Sequence, residues 1–260
     1  MLQCNDVLEA SELSEQIRIG CCGWSYLRPA EFSDFLTKPF SSTLQAYAQL
    51  FRTVEVNSTF YRIPRRSTAE KWRREADELG HGFEFTVKAF QGITHRDRFG
   101  KASHSETDAL LDVADALSAD ILLFQSPASF LPSQQNILKM KSFFSNVERG
   151  RHVFVWEPRG SWSKSPQAIV DVCSAFDLVH CVDPLRDQPL SFGHSPIAYF
   201  RLHGFGRPSM YSYSFSVEEL GRICEYCRSL PTSVHRVYIF FNNVTCYQDG
   251  RKFEEMLIAG

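Results

Sequence analysis

Eight short apolar runs recur along the chain at intervals of about thirty residues, and most of them end in a polar or charged side chain. Runs of this length that alternate with helical segments are typical of the parallel strands of a β/α barrel. The pattern therefore predicts an α/β protein with a single TIM-like (β/α)8 barrel. The predicted strands are Ile17 to Cys22, Thr53 to Asn57, Phe83 to Ala89, Asp120 to Gln125, His152 to Glu157, Leu178 to Asp183, Ile197 to His203 and Arg236 to Asn242.

The residues at the carboxyl ends of these runs form the candidate site. In a barrel of parallel strands those ends gather at one mouth, where side chains distant in sequence can contact one ligand. The polar residues there are Glu55, Asn57, Lys88, Gln125, Glu157, Asp183, Arg201, His203 and Asn242.

The length of the chain fits one barrel. Its 260 residues, 43% of them apolar, can fill one large core, and no linker rich in Gly, Ser or Pro divides it. We therefore expect an N-terminal leader at residues 1–16 and a single barrel domain at residues 17–260.

Charge and hydropathy limit the partners and the compartment. The net charge of −2 provides no global basic field, so a nucleic-acid partner is not favoured. The leader carries four acidic side chains and no basic one, which opposes a secretory or organelle signal, and no apolar stretch is long enough to cross a membrane. We expect a cytoplasmic protein with reduced cysteines; its oligomeric state stays open.

Helix-start signals lie between the runs. The spacings Ser67-x-x-Glu70, Ser103-x-x-Glu106 and Ser216-x-x-Glu219 each predict a capping box. Between Pro184 and Pro196, proline and glycine leave little room for a helix, so the barrel is expected to be irregular around its sixth β/α unit.

Strand periodicity selects the side chains that point inward. Residues two apart share a face, which places Glu55 and Asn57 on the inner face of the second strand and Lys88 on that of the third. Isolated buried charges are costly, so the pattern predicts that Glu55 and Lys88 form a pair near the mouth.

Several motifs in the same order resemble a known family. They are Gly20-Cys-Cys-Gly-Trp-Ser-Tyr26, Val54-Glu-Val-Asn-Ser-Thr-Phe-Tyr-Arg-Ile-Pro64, Phe85-Thr-Val-Lys88, Ile93-Thr-His95, Arg201-Leu-His-Gly204 and Phe241-Asn-Asn243. Together they resemble the YecE-like family, also called DUF72, from about Ile17 to the C-terminus. The resemblance implies a TIM-like barrel and no established reaction.

The resemblance also implies a set of shared motif residues that overlaps the strand ends. The set comprises Glu55, Asn57, Thr59, Tyr61, Lys88, Thr94, His95, Gln125, Glu157, Arg159, Trp162, Arg201, His203, Asn242 and Asn243. The chain departs from the family pattern at Cys21-Cys22, which replace small hydroxyl residues, at Phe215, which replaces a second tyrosine, and at Gly160, which replaces a histidine.

These residues suggest a metal-independent enzyme that acts on a small polar ligand with anionic or hydroxyl groups. Glu157 is the favoured acid or base, and the catalytic set is Glu157, Glu55, Lys88 and His203. Arg159 and Arg201 are expected to converge on one anion. The ligand-binding set is Asn57, Tyr61, Gln125, Arg159, Trp162, Asp183, Arg201 and Asn242. Hydrolysis, isomerisation and elimination are left open.

Aromatic side chains beside the strand ends suggest a rim on which a sugar or a base could stack. They are Trp24, Tyr26, Phe60, Tyr61 and Trp162.

Two other functions stay open at this point. A binding protein for a phosphorylated metabolite or a nucleic-acid fragment would use the same cations without turnover. A metal-dependent nuclease or isomerase would use Glu55, Glu157, Asp183 and His203 as ligands. Because Lys88, Arg159 and Arg201 lie among those ligands and would compete with a metal, the sequence predicts neither a metal nor a cofactor.

Overall fold

The computed structural model describes residues 15–80 and 82–259. Residues 1–14 of the expected leader lie outside the described residues, whereas Glu15 and Gln16 are helical. All pairings within the sheets are parallel. The strands are β1 (Ile17–Cys21), β2 (Thr53–Val56), β3 (Glu84–Lys88), β4 (Ile121–Gln125), β5 (Val153–Glu157), β6 (Leu178–His180), β7 (Ile197–Leu202) and β8 (Arg236–Phe241).

The strands form two parallel sheets. One has the order β1-β8-β7 and the other the order β2-β3-β4-β5-β6. Where β6 ends, an isolated parallel bridge joins Val182 to Phe200 of β7, and the Arg201 N–H donates to the Val182 carbonyl at 3.0 Å. At the opposite seam, β1 and β2 pack so closely that a Cβ on Gly20 would collide with the Thr53 carbonyl oxygen. The architecture is therefore an α/β fold built on parallel sheets.

Helices connect most of the strands. Within the described residues, the α-helices are α1 (Thr43–Leu50), α2 (Arg66–Asp77), α3 (Ser103–Ala116), α4 (Gln134–Ser145), α5 (Pro166–Phe176), α6 (Val217–Arg228) and α7 (Cys246–Ala259). Short helices cover Pro29–Phe35, Asn57–Phe60, Gly92–Arg96 and Gly160–Lys164, and the one at Gly92–Arg96 is a π-helix. No helix in this part of the chain is both long and apolar enough to cross a membrane.

Only one of the three predicted capping boxes forms. At Ser216 and Glu219 both reciprocal hydrogen bonds are present. The prediction is wrong for α2, which starts at Arg66, because Glu70 pairs with Arg66 instead. It is also wrong for α3, because the Ser103 hydroxyl donates to Asp97 Oδ2 at 2.8 Å.

The sixth β/α unit is irregular, as expected. Strand β6 has three residues, and the chain between β6 and β7 forms no α-helix over the described positions 181–196. Instead it folds back, so that Val179 forms an antiparallel bridge with Phe192 and the His180 N–H donates to the Ser191 carbonyl at 2.9 Å. The helix that would cover β6 in a regular unit is therefore missing.

Side chains between the sheets form an interior separate from the layer under the helices. Leu123, Val155, Val179, Tyr199 and Phe240 pack together in it. Alternation along the strands predicts that these residues face inward, and the structure confirms this assignment. At the amino end of the strands, the partly exposed Glu84 accepts hydrogen bonds from Arg18 and from Tyr238, each at 2.7 Å. The opposite end, at the carboxyl ends of the strands, is hereafter called the mouth.

Candidate functional site

Arg201 on β7 connects two carboxylates at the mouth. Its side chain is 0% exposed. Nη2 donates to Glu55 Oε1 at 2.8 Å and Nη1 donates to Glu157 Oε2 at 2.6 Å. The predicted pairing of Glu55 with Lys88 is therefore wrong: a buried guanidinium with several donors serves both acids at once, which a lysine cannot do with the same geometry.

The remaining oxygen of Glu55 is held by a tyrosine. The Tyr199 hydroxyl donates to Glu55 Oε2 at 2.9 Å, and Thr86 Oγ1 lies 2.9 Å from the same hydroxyl. Because the single hydroxyl proton of Tyr199 points at Glu55, Thr86 must donate to Tyr199. Burial and the nearby Glu55 charge raise the pKa of Tyr199 well above its usual value, so the phenol stays protonated. Strand parity places Tyr199 inside, but a tyrosine carries no sequence signal for this role.

Glu157 at the end of β5 has both oxygens engaged. Besides Arg201, Oε2 accepts from Gln125 Nε2 at 2.8 Å, and Oε1 lies 2.5 Å from Arg159 Nη2. Burial acts to raise the pKa of Glu157, but the charges of Arg201 and Arg159 outweigh it and hold the pKa well below the usual range. Glu157 is consequently a carboxylate at neutral pH with no proton to donate.

His203 at the end of β7 is a neutral imidazole with a defined tautomer. Its Nε2 lies 2.7 Å from Arg159 Nη2. An arginine can only donate, so Nε2 accepts and the ring proton is on Nδ1. Burial lowers the pKa of His203 to about 3, with the cations Arg201 and Arg159 adding to the shift and Glu157 opposing it.

Lys88 at the end of β3 is buried without a counter-ion in contact. The residue is 6% exposed, and its Nζ makes no ion pair or hydrogen bond with residues 15–80 or 82–259. The ammonium lies 4.3 Å from the centre of the Phe60 ring. Burial and then the charge of Arg201 lower the pKa of Lys88 to about 8, although Glu55 and Glu157 act in the opposite direction.

A pocket of about 260 Å³ opens where the sixth helix is missing, and we call it the sixth-unit pocket. Its polar lining includes Arg159, Arg186, Asp183 and His203, and its walls include apolar groups such as Ile169. Arg186 Nε lies 3.5 Å from Asp183 Oδ2 and its Nη2 donates to the Gly204 carbonyl.

His180 and Cys181 line the same pocket, although their sequence positions are typical of buried strand residues. His180 Nδ1 accepts from the Leu190 N–H at 3.1 Å, which places the ring proton on Nε2. Burial lowers the pKa of His180 to about 4. Only the fold-back after β6 brings this histidine to a pocket, so no local signal could have found it.

A larger pocket of about 780 Å³ lies between the ends of β1, β2 and β8, and we call it the β1–β8 pocket. It is lined by Cys22, Asn57, Asn242, Tyr211 and Tyr26. Asn57 Oδ1 is buried and accepts no hydrogen bond from the described residues. A ligand with hydroxyl donors could satisfy this oxygen.

The predicted aromatic rim is only partly present. Tyr26 and Tyr61 are exposed at the surface, at 91% and 69%. The prediction that Trp162 is a rim residue and a ligand contact is wrong. The side chain is 0% exposed, and its indole N–H donates to the Phe130 carbonyl at 2.5 Å. Trp24 packs edge-on against Trp72.

The prediction that Arg201 contacts the ligand is also wrong. Its side chain is fully buried and is bound to two carboxylates.

Most of the polar side chains at the mouth are cations and amides, not the carboxylates, imidazoles and thiolates that bind transition metals. Within residues 15–80 and 82–259, no group of three or more His, Cys, Asp and Glu side chains is placed to hold a metal ion. Asp183 accepts the Leu185 N–H at 3.1 Å, and burial raises its pKa.

The fold and the mouth define an α/β protein with ligand-sized pockets at the carboxyl ends of parallel strands. The chain belongs to the family described as "Protein of unknown function DUF72", whose sequence model matches residues 18–258. The resemblance seen in the motifs is thereby confirmed. A curated relative, the UPF0759 protein YunF of Bacillus subtilis (strain 168), is 29% identical in an alignment 259 positions long that covers 87% of this chain and 88% of that protein.

Solved structures agree on the fold. A DUF72 family protein from Thermotoga maritima MSB8 has a TM-score of 0.73 at 22% identity and covers 93% of this chain and 99% of its own. A D-psicose 3-epimerase crystallised in the presence of D-fructose has a TM-score of 0.55 at 11% identity and covers 86% of this chain and 95% of its own. At such identities the likeness concerns the fold alone.

Proposed function

We propose that this protein is a metal-independent enzyme that binds a small polar ligand with anionic or hydroxyl groups at the mouth. The observation that carries the proposal is the pair of partly exposed guanidinium groups, Arg159 and Arg186, in the lining of the sixth-unit pocket. The carboxylates of Glu157 and Asp183 contact these guanidinium groups, and the carboxylate of Asp187 lies in the exposed part of the same lining. A bound anion would accept charge-assisted hydrogen bonds from the donors of the two guanidinium groups that remain accessible.

Arg159 and Arg186 are the proposed anion contacts. Both line the sixth-unit pocket, and their side chains are 26% and 34% exposed, so a ligand can reach them. Glu157 forms an ion pair with Arg159 and His203 accepts a hydrogen bond from it, and these two contacts fix the direction of its guanidinium. Arg186 takes the part that the sequence pattern assigns to Arg201.

The roles of the acids follow from their protonation. Glu157 acts as a fixed negative charge that positions Arg159 and Arg201, because its low pKa leaves it no proton to give. The group that exchanges a proton near neutral pH is Lys88.

The proposal includes closure of the two sheets into one irregular (β/α)8 barrel. The parallel bridge between Val182 and Phe200 supports closure at one seam, and the close approach of Gly20 to Thr53 supports it at the other. In such a barrel the sixth-unit pocket and the β1–β8 pocket open onto the same mouth.

Anion binding is tested by thermal unfolding in phosphate and in chloride at equal ionic strength. Phosphate should raise Tm relative to chloride, and Arg159→Gln and Arg186→Gln should each abolish the difference. Arg222→Gln, at an exposed arginine of α6, is the matched control and should keep it. A phosphate effect of equal size in all four proteins would contradict the site.

Catalysis is tested separately by NMR on a mixture of small carboxylated and phosphorylated compounds incubated with the protein. If the wild type consumes a compound and Lys88→Met does not, the result supports an enzymatic function. Anion binding without any consumption would favour the non-catalytic binding protein instead.

A further inference from the structure

Lys88 is surrounded by charged and titratable groups from most of the elements that meet at the mouth. These are Cys22 after β1, Glu55 on β2, His95 in the π-helix, Glu157 on β5, and Arg201 and His203 at the end of β7. The two acids in this set are already bonded: Glu55 to Arg201 and Tyr199, and Glu157 to Arg201, Arg159 and Gln125. The amine is therefore close to negative charge but bonded to none of it.

The surroundings of the amine are apolar on one side. The Phe60 ring lies under the ammonium and packs edge-on against the His95 ring, with their centres 4.9 Å apart. Thr59 Oγ1 donates to the Lys88 carbonyl at 2.6 Å and ties the end of β3 to the turn after β2. A lysine in such a site is held in place by packing and not by a salt bridge.

The residue next to Lys88 across the strand ends carries an unsatisfied acceptor. The register of β2 and β3 pairs Val56 with Val87, so Asn57 and Lys88 follow as neighbours at the strand ends. Asn57 lines the β1–β8 pocket, and its buried Oδ1 has no partner among the described residues. The ends of β2 and β3 thus carry an unsatisfied acceptor and an unpaired amine at neighbouring positions, and the acceptor's residue, Asn57, lines the pocket.

We propose that Lys88 is a nucleophile that forms a Schiff base with a small aldehyde or ketone bearing hydroxyl or carboxylate groups. This inference rests on the proposed function, because it uses the same mouth, and it names the class of substrate. The neutral amine nitrogen attacks the carbonyl carbon, and a proton moves from nitrogen to oxygen to give the carbinolamine. Its hydroxyl then takes up one proton from solvent and leaves as water, which leaves a protonated C=N bond to Nζ. No oxidant or reductant is needed.

The protonation states at the mouth agree with this chemistry. With a pKa of about 8, about a tenth of Lys88 is neutral at pH 7, against far less than a hundredth for an ordinary lysine. The nearby Cys22 thiol competes little, because burial and the charge of Glu55 raise its pKa well above the usual value.

Reductive trapping tests the inference. The protein is incubated at pH 7.5 with glycolaldehyde or with glyoxylate, borohydride is added, and the modified lysines are mapped by peptide mass spectrometry. Lys88 should be modified at least about tenfold faster than an exposed lysine. Its rate should rise with pH and level off above about pH 8.

Two variants make the result specific. Lys88→Arg keeps the positive charge but cannot form an imine, so the fast adduct should disappear. Lys71→Arg, at an exposed lysine of α2, should leave it unchanged. Slow modification of Lys88, at the rate of exposed lysines, would overturn the inference; if the phosphate effect on Tm persists in that case, the proposed function stands without the carbonyl substrate.

Discussion

Arg201 Nη1 and Glu157 Oε2 lie 2.6 Å apart, and both side chains are almost completely buried. The same guanidinium also binds Glu55, so a single arginine of one sheet pairs with two acids of the other sheet. Lys88, the cation that strand parity favours for this task, is left with a shifted pKa and no direct partner among the described residues. Arg201 is thus the cation that binds the buried acids, and Lys88 is the cation whose charge changes near neutral pH.

Arg201→Met should destabilise the fold strongly. The substitution leaves the buried carboxylates of Glu55 and Glu157 without their shared cation, which should cost about 3–5 kcal/mol in the free energy of unfolding. Urea unfolding at pH 7 measures it. A loss below about 1 kcal/mol would mean that water or another cation replaces the guanidinium.

Lys88→Met should not destabilise the protein at pH 7, in contrast to Arg201→Met. Burial of the charged amine is unfavourable in the folded protein, and methionine of similar length removes that cost. The free energy of unfolding should stay unchanged or increase by up to about 3 kcal/mol. A decrease comparable to that of Arg201→Met would show that Lys88 is bound in a salt bridge after all.

The Lys88 pKa also predicts a pH dependence of stability. The pKa is about 8 in the folded protein and near 10.5 when unfolded, so between these values the unfolded chain binds more protons. The wild type should therefore gain stability relative to Lys88→Met as the pH rises from about 8 to about 10.5. Parallel denaturation curves of the two proteins across this range check the sign; a constant difference would contradict it.

The pKa of His203 predicts a second pH dependence of stability, at acidic pH. Its pKa is about 3 when folded and 6.5 in the unfolded chain, so protonation favours the unfolded state as the pH falls below 6.5. His203→Gln should remove this part of the acid sensitivity, about 2–4 kcal/mol between pH 6.5 and 3. Urea unfolding of both proteins at several pH values measures it, with His194→Gln, at an exposed histidine, as the control.

Gly20→Ala tests the close approach of β1 and β2. The new methyl group would collide with the backbone of Thr53, which cannot move without shifting β2, so a loss of about 1–3 kcal/mol is expected. Gly221→Ala in α6 is the matched control. Its nearest neighbour, Met256 Cε, is 4.0 Å from the new carbon, and alanine should stabilise the helix by up to about 1 kcal/mol.

The strand pattern and the choice of inward-facing side chains follow from the sequence alone. Alternation with a period of two depends only on local backbone geometry, so it is enough to place Glu55, Lys88, Glu157 and Arg201 on inner faces. The break in the sixth unit is also readable, because Pro184 lacks a backbone donor and the segment has no apolar helical period.

Which of these side chains bind one another depends on the tertiary structure. The choice of Arg201 over Lys88 for Glu55 rests on the reach and donor geometry of side chains from β2, β3 and β7, which are far apart in sequence. Trp162 is a core residue because the short helix after β5 turns its indole toward Phe130, and His180 lines a pocket because the chain after β6 folds back. Pairing and burial are set by distances between elements, and these exist only once the chain has folded.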